Sequence, residues 1–432
     1  MDRGLTTDRQ IAISDPVTRV AVVGAGISGL SVCWLLSRRH EVHLFEADDR
    51  LGGHTHTVQV ESPDGPLALD TGFLVHNLHT YPNLIRLFGE LGVATRDSDM
   101  SFSVTDPRTG LAYSSRGARG FFAQRLNLLR PAHYRLLAEI VRFNREAPAL
   151  LDRPGAADVT LGAFLDERRF DPRFARYYLL PMAAAIWSTP LEAITAFPAV
   201  SFVRFFQNHG LLGLTGQPTW RVVEGGSHRY IPKLTGPLQG RVHTGTPVER
   251  ITRGRDGVTV AFTNRAPEVF DHLVLACHGD AALRLLGDPT TVEQAVMGQF
   301  QTSANVAWLH TDASWVPANP WAQASWNYRL SADDGVPPTV TYDLNRLQGL
   351  TTATRYCVTL NPETPPTEGT VLGRYVYRHL LYTTAAVRAQ GRWAEVSGVN
   401  RTHFCGAYWG NGFHEDGLNS ARRVAASLGV CW

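Results

Sequence analysis

The sequence predicts an α/β protein, a Rossmann-like dinucleotide-binding domain joined to a discontinuous α+β substrate domain. Three observations predict it. Residues 19–57 read as strand, glycine turn, helix, strand and acid. A helical pattern runs through 116–205. Period-two alternation lies on either side of that run, in the hairpin 101–115 and again through 243–277 and 299–358. At 432 residues the chain is too long for one simple core, so two domains are expected. The expected division gives 17–75, 220–290 and 400–432 to the cofactor domain. It gives 76–219 and 291–399 to the second domain, and leaves 1–16 as a flexible arm.

The first strand is the apolar, β-branched run Val20 to Val23. Gly24, Gly26 and Gly29 follow in G-x-G-x-x-G spacing, with Ile27 and Ser28 between them. Gly24 permits a tight turn, Gly26 lets a pyrophosphate approach the backbone, and Gly29 lets the following helix pack on the sheet. The helix start offers free N–H groups and a positive dipole end to phosphate. Glu46 closes the second strand 22 positions after Gly24, where an acid accepts hydrogen bonds from ribose hydroxyls.

Ala47, Arg50, Gly52, Gly53 and Thr57 extend this to E-A-x-x-R-x-G-G-x-x-x-T. That arrangement resembles the flavin amine oxidase and phytoene desaturase superfamily, whose glutathione-reductase-like fold binds FAD rather than NAD. The second glycine pair gives a second close backbone approach to the diphosphate, and the arginine offsets its charge. The wider pattern of GGHTHT, DTGF, AAAIW and GAYWGNGFHEDG resembles a bacterial branch of FAD-binding oxidoreductases grouped with cyclopropane fatty acid synthase-type lipid modification. The resemblance implies a fatty acyl or other lipid substrate, with flavin N5 taking a hydride from a C–H bond next to an alkene or heteroatom. It also implies that Thr71, Gly72 and Phe73 run past the flavin, that His54 lies near phosphate or flavin, and that the Val248 backbone meets adenine. Gly406 matches a family glycine, but Ala407 stands where an acid is common.

The remaining elements follow in order. Short strands at 58–60 and 67–69 flank the turn Ser62-Pro63-Asp64-Gly65. A helix over 79–92 ends on Gly92 as its C-cap. Residues 221–227 return to the cofactor domain, 243–251 and 258–262 alternate as antiparallel strands, and 271–277 is a buried strand. The end of the chain, 402–428, is a strand, a glycine loop and a helix opened by Gly417 and Leu418, whose N–H groups face the flavin.

The substrate side rests on fewer signals. His414, Glu415 and Tyr408 are the candidates for acid–base chemistry. Amine oxidases form an aromatic cage over the flavin, but Tyr408 and Trp409 are adjacent and in a strand would point to opposite faces. Trp187 and Tyr342 are candidates for another wall, with burial in the core the competing role for each. Many family members place a lysine at flavin N5. Lys233 is the only lysine here and falls outside the expected strand, which disfavours chemistry relying on it. His54 and His56 have no evident third ligand, so no metal is expected.

Three functions fit. The first is oxidation or desaturation of a lipid. The second is a flavin amine or amino acid oxidase releasing peroxide. The third is a flavin-dependent isomerase, or a non-catalytic flavoprotein partner of a lipid-modifying enzyme. A net charge of +2 gives no electrostatic argument for nucleic acid. Five scattered cysteines and no apolar run of about 18 residues fit a protein of the reducing cytoplasm. Residues 116–145 carry seven arginines against one acid with apolar residues between. Such a stretch suits a helix lying on an anionic membrane, or one whose apolar stripe faces the core.

Overall fold

The computed structural model describes residues 17–187, 191–213, 216–333 and 338–432, so the arm expected at 1–16 lies outside the described residues. The strand Arg19–Val23 is central and nearly all buried. It lies parallel to Glu41–Phe45 on one side and His272–Leu275 on the other, with Val242–His243 and Thr402–Phe404 at the edges. Side-chain alternation explains its uniformly apolar sequence. Val20 and Val22 point into a cluster with Leu30, Leu35, Leu418 and Val424 of the two helices Ile27–Leu36 and His414–Ser427. Ala21 and Val23 point the other way, toward Ile251, Val258 and Val260 of a three-stranded antiparallel sheet. The Rossmann helix is thus apolar nearly all round because it is covered all round.

A second sheet has seven strands, drawn from 102–114 and 302–380. It is antiparallel except where Trp326–Arg329 runs parallel to Phe102–Asp106. Helices from the central stretch cover it. The helix Pro131–Glu146 turns Leu136, Ile140 and Phe143 inward at helical spacing, and they join Phe174, Phe202 and Phe206 beside Val104 and Val358.

Several expectations change. Residues 243–251 are not one strand: Gly245 (φ 56°) and Pro247 break it. Val242–His243 therefore extends the parallel sheet, while Val248–Arg253 starts the antiparallel one. The helix expected over 79–92 begins at Pro82 and ends on Gly92 in the left-handed conformation, as a C-capping glycine should. Its Leu84, Leu87 and Phe88, with Tyr81 before it, pack into the cofactor-side core, so the division placed at residue 75 is not where the packing changes.

The carboxyl-terminal helix begins at His414, three residues before Gly417. The Asp416 carboxylate accepts the Phe413 N–H at 3.0 Å and so satisfies the chain at the helix start. Tyr408 and Trp409 sit in a 3-10 turn, not in a strand. A side chain at Gly406 would put its Cβ 2.1 Å from the Tyr408 ring, which folds back over that glycine.

Candidate functional site

The amino-terminal glycines build a bare backbone cradle. Gly24 has φ 102° and donates to the Phe45 carbonyl at 2.8 Å, which turns the chain out of the strand. A Cβ on Gly29 would lie 1.8 Å from the Gly24 carbonyl, so only glycine lets the helix sit this close. A Cβ on Gly26 would meet nothing within 4 Å, because that face is open. No side chain caps the helix Ile27–Leu36, so the N–H groups of its first turn remain for a ligand. The second glycine run converges here, a Cβ on Gly53 lying 3.1 Å from Gly26 Cα. Arg50 braces this loop by donating to the Gly53 carbonyl at 2.8 Å, and keeps its charge beside the cradle. Glu46 accepts the Ala25 N–H at 2.6 Å and the Asp48 N–H at 3.1 Å, with Ala47 beside it. Each carboxylate oxygen keeps a lone pair that a ribose hydroxyl could use. Open glycine faces, an uncapped helix start, an acid and an arginine fit the diphosphate and ribose of a dinucleotide.

Two loops form the floor next to this cradle. The Phe73 N–H donates to the His54 carbonyl at 2.7 Å and the Thr71 N–H to the His56 carbonyl at 2.9 Å. Gly72 makes this possible, since its Cβ would lie 2.1 Å from the His54 carbonyl oxygen. The hydroxyls of Thr57 and Thr71 are engaged within the protein. Thr57 donates to Asp70 at 2.5 Å and accepts the His228 N–H, while the Thr71 hydroxyl meets the Tyr377 hydroxyl at 2.6 Å. Asp70, the first residue of the DTGF segment, is the knot of this floor. It also accepts the N–H and hydroxyl of Ser227 at 2.8–3.0 Å, and burial pushes its carboxyl up to about 6 despite those bonds.

The histidines near this floor are kept neutral. The His54 ring lies 5.3 Å from His379 and 5.9 Å from His278, and its Nε2 is buried without a partner among the described residues. Burial, then the neighbouring rings, pushes His54 well below the ordinary histidine range, and His379 goes down to about 4. His414 stacks on Phe73 with ring centres 3.6 Å apart. Its Nε2 meets the Thr55 hydroxyl at 2.9 Å and the Tyr230 hydroxyl at 3.1 Å, and those two hydroxyls bond each other. Burial pushes His414 down to about 3, so its ring is neutral and not a cation.

The other sequence candidates separate. Glu415 is not an acid–base group: its carboxylate accepts the N–H groups of Asn83 at 3.1 Å and Leu84 at 2.9 Å, and the Asn83 amide at 2.7 Å. It therefore caps the helix Pro82–Leu91, which has no cap of its own. The Gly417 N–H is already bonded to the Phe413 carbonyl and Leu418 is fully buried, so neither opens the helix toward a ligand. The first-turn N–H groups without an acceptor inside the helix backbone belong to residues 414–416, and the Asp416 carboxylate takes its own N–H as well as that of Phe413. A Cβ on Gly417 would lie 2.8 Å from Ile27 Cγ2 and Ser28 Oγ, which assigns that glycine to close packing of the two helices.

Tyr408 and Trp409 pack with Phe300 at 4.8–4.9 Å, in the cluster behind the parallel sheet. Trp187 belongs to a different group. It packs on Phe205 at 4.7 Å, and Phe205 stacks on Phe413 at 5.1 Å, directly before the carboxyl-terminal helix. Tyr342 reaches the helix Leu180–Trp187 that carries Trp187, donating to the Ala185 carbonyl at 3.3 Å. The structure thus places Trp187 and Tyr342 in one apolar cluster, and adds Phe205 and Phe413, which the sequence reading passed over. Phe413 stood inside the GNGFHEDG segment, and only its contact with Phe205 marks it out. Val248 lies at a bulge in its strand opposite Phe262. The Lys233 ammonium is spent elsewhere, donating to the Leu91 and Gly92 carbonyls at 2.7 and 2.8 Å.

Comparison with known proteins agrees with this geometry. The profile of the family described as flavin containing amine oxidoreductase matches residues 27–390. Amine oxidase [flavin-containing] A of Canis lupus familiaris is 27% identical over 259 residues, covering 57% of this chain and 46% of that one. The chain therefore spans about half the length of the curated relatives it matches. Among solved structures, a double mutant of putrescine oxidase superposes with a TM-score of 0.70 at 17% identity, covering 96% of this chain and 99% of that one. The CLA-producing fatty acid isomerase from P. acnes superposes with a TM-score of 0.68 at 13% identity over the same shares.

Proposed function

This chain belongs to the flavin-containing amine oxidoreductase family, an FAD-dependent oxidoreductase, and on that premise we propose that its substrate is hydrophobic, a fatty acyl chain or other lipid oxidised at a C–H bond. The observation that carries the reading is the placement of Lys233. The only lysine holds the end of the helix Pro82–Leu91 and so supplies no ammonium group to the site. Arginine cannot replace it, because its guanidinium does not give up its proton.

The surroundings support the same reading. His54, His379 and His414 are neutral, and Trp187, Phe205 and Phe413 are apolar. Such surroundings exclude water and suit an uncharged reacting carbon. In this scheme Gly24, Gly26 and Gly53 hold the diphosphate, Arg50 balances its charge and Glu46 takes the ribose. The bound FAD supplies a hydride acceptor. The N–H groups of residues 414 and 415, at the start of the carboxyl-terminal helix, would favour negative charge on a flavin ring held beside them. The fold alone does not choose the substrate, since a putrescine oxidase and a fatty acid isomerase share it.

A second reading, oxidation of an amine or amino acid with release of peroxide, is favoured by the activity named for the dog relative. Anaerobic mixing of the FAD-loaded protein with fatty acids, acyl thioesters and amines separates the two. Bleaching of the flavin absorbance by the lipids is expected. Bleaching by amines alone would overturn the lipid reading.

A further inference from the structure

The arginine-rich stretch 116–145 resolves into two parts that behave differently. From Leu136 onward Leu136, Ile140 and Phe143 face the core, and Arg142 and Arg145 meet Glu139 and Glu146. That half is an ordinary covering helix. The 3-10 turn Arg125–Leu129 is inside out. Its polar residue, Asn127, is fully buried, while Leu126, Leu128 and Leu129 are 66%, 50% and 81% exposed. An 81% exposed leucine stands clear of the surface around it.

The turn is held in this state by specific bonds. The Asn127 amide donates to Gln124 Oε1 at 3.3 Å, and Gln124 in turn donates to the Gly110 carbonyl at 2.6 Å. The Tyr134 hydroxyl donates to the Leu128 carbonyl at 3.0 Å. Asn319 donates to the Ala123 carbonyl at 2.8 Å, which ties the turn to the segment carrying Trp321. Trp321 is itself 49% exposed, with the Arg119 guanidinium over its ring. A fixed backbone that presents consecutive leucines outward needs an apolar phase to receive them.

Charge identifies that phase. Arg116, Arg119, Arg125, Arg130 and Arg135 are all exposed, and none pairs with a carboxylate among the described residues. Leucines at the tip, a tryptophan at the flank and arginines around both match the acyl region, interface and anionic headgroups of a bilayer. A protein partner would have to offer an apolar socket ringed by acids for a small protruding knob, whereas an anionic lipid leaflet offers both everywhere.

We propose that the turn Arg125–Leu129, flanked by Trp321, is a docking surface that inserts shallowly into an anionic membrane leaflet. It holds the protein on the membrane peripherally, since no helix of the described residues is long and apolar enough to cross one. The proposal does not depend on the substrate, because it is read without turnover.

The test uses the full FAD-loaded chain with two sets of vesicles, phosphatidylcholine alone and phosphatidylcholine with phosphatidylglycerol. The protein should sediment with the anionic vesicles and be released by salt, because exposed charges are screened. Leu129→Asp should weaken that binding by about tenfold or more, since a carboxylate is costly in the acyl region. The double variant Arg125→Glu, Arg130→Glu should remove the preference for anionic lipid. Retained flavin absorbance shows that each variant is folded. Failure to sediment with either vesicle, or binding unaffected by Leu129→Asp, overturns the proposal. So does a dimer in light scattering that Leu129→Asp abolishes, which would make the turn a contact between two copies.

Discussion

Replacing Glu415 separates a structural carboxylate from a catalytic one. In the structure Glu415 reaches from the first turn of the carboxyl-terminal helix to the first turn of Pro82–Leu91 and accepts two of that helix's unbonded N–H groups. Hydrogen bonds to a charged group are worth about 1.5–3 kcal/mol each, and removing a helix cap typically costs about 1 kcal/mol. Because both N–H groups share one acceptor, Glu415→Ala should destabilise the protein by roughly 2–4 kcal/mol. Glu415→Gln keeps one oxygen and loses the charge that complements the helix dipole, for a loss of about 1 kcal/mol. Urea unfolding of the FAD-loaded protein measures both. Anaerobic flavin reduction by substrate supplies the second readout and should stay within about twofold for Glu415→Gln, since a lost proton-transfer group costs about 10²–10⁴-fold. Reduction slowed a hundredfold with an unchanged urea midpoint would refute the capping role and restore Glu415 to the chemistry.

The same geometry sets further outcomes. Gly29→Ala should fail to fold or to retain flavin, because its methyl would lie 1.8 Å from the Gly24 carbonyl. Gly26→Ala has open space, so it should fold normally and lose FAD affinity alone, as titration of the apoprotein would show. Stability should fall as the pH drops below about 6.5, because His379 (about 4) and His414 (about 3) stay neutral when folded and take up protons when unfolded. The two together account for about 2.7 kcal/mol per pH unit in that window. Asp70, raised from 3.8 to about 6, acts with the opposite sign: between those values the folded chain holds a proton that the unfolded chain has lost. Asp70→Asn should therefore steepen the acid slope of the urea midpoint. Lys233→Met should leave flavin reduction by substrate unchanged and lower stability by about 0.5–1 kcal/mol, the worth of a cation at a helix carboxyl end.

The cofactor half was legible because its signals are local. Gly24, Gly26 and Gly29 act through their own backbone, and their spacing is fixed by one turn and the helix after it. The Val20 to Val23 run declares a buried parallel strand, and Gly92 declares a helix end, for similarly local reasons. Glu415 reads differently from the sequence and from the structure because a side chain's partner is chosen elsewhere in the chain. Glu415 reads as a loop acid until the helix Pro82–Leu91 is set beside it, 331 positions away. Thr57 and Thr71 read as cofactor contacts until Asp70 and Tyr377 claim their hydroxyls.

By itself, then, the sequence determined the nucleotide-binding strand, turn and helix, the acid after them and the alternation of helical and stranded regions. All of these depend on backbone freedom and on periodicities of a few residues. Tertiary structure alone decided which histidines stay neutral, which aromatic rings meet, and that three leucines of an arginine-rich turn face outward while its asparagine is buried. Burial and pairing at those positions are set by residues far off in the chain, and no short stretch of sequence encodes them.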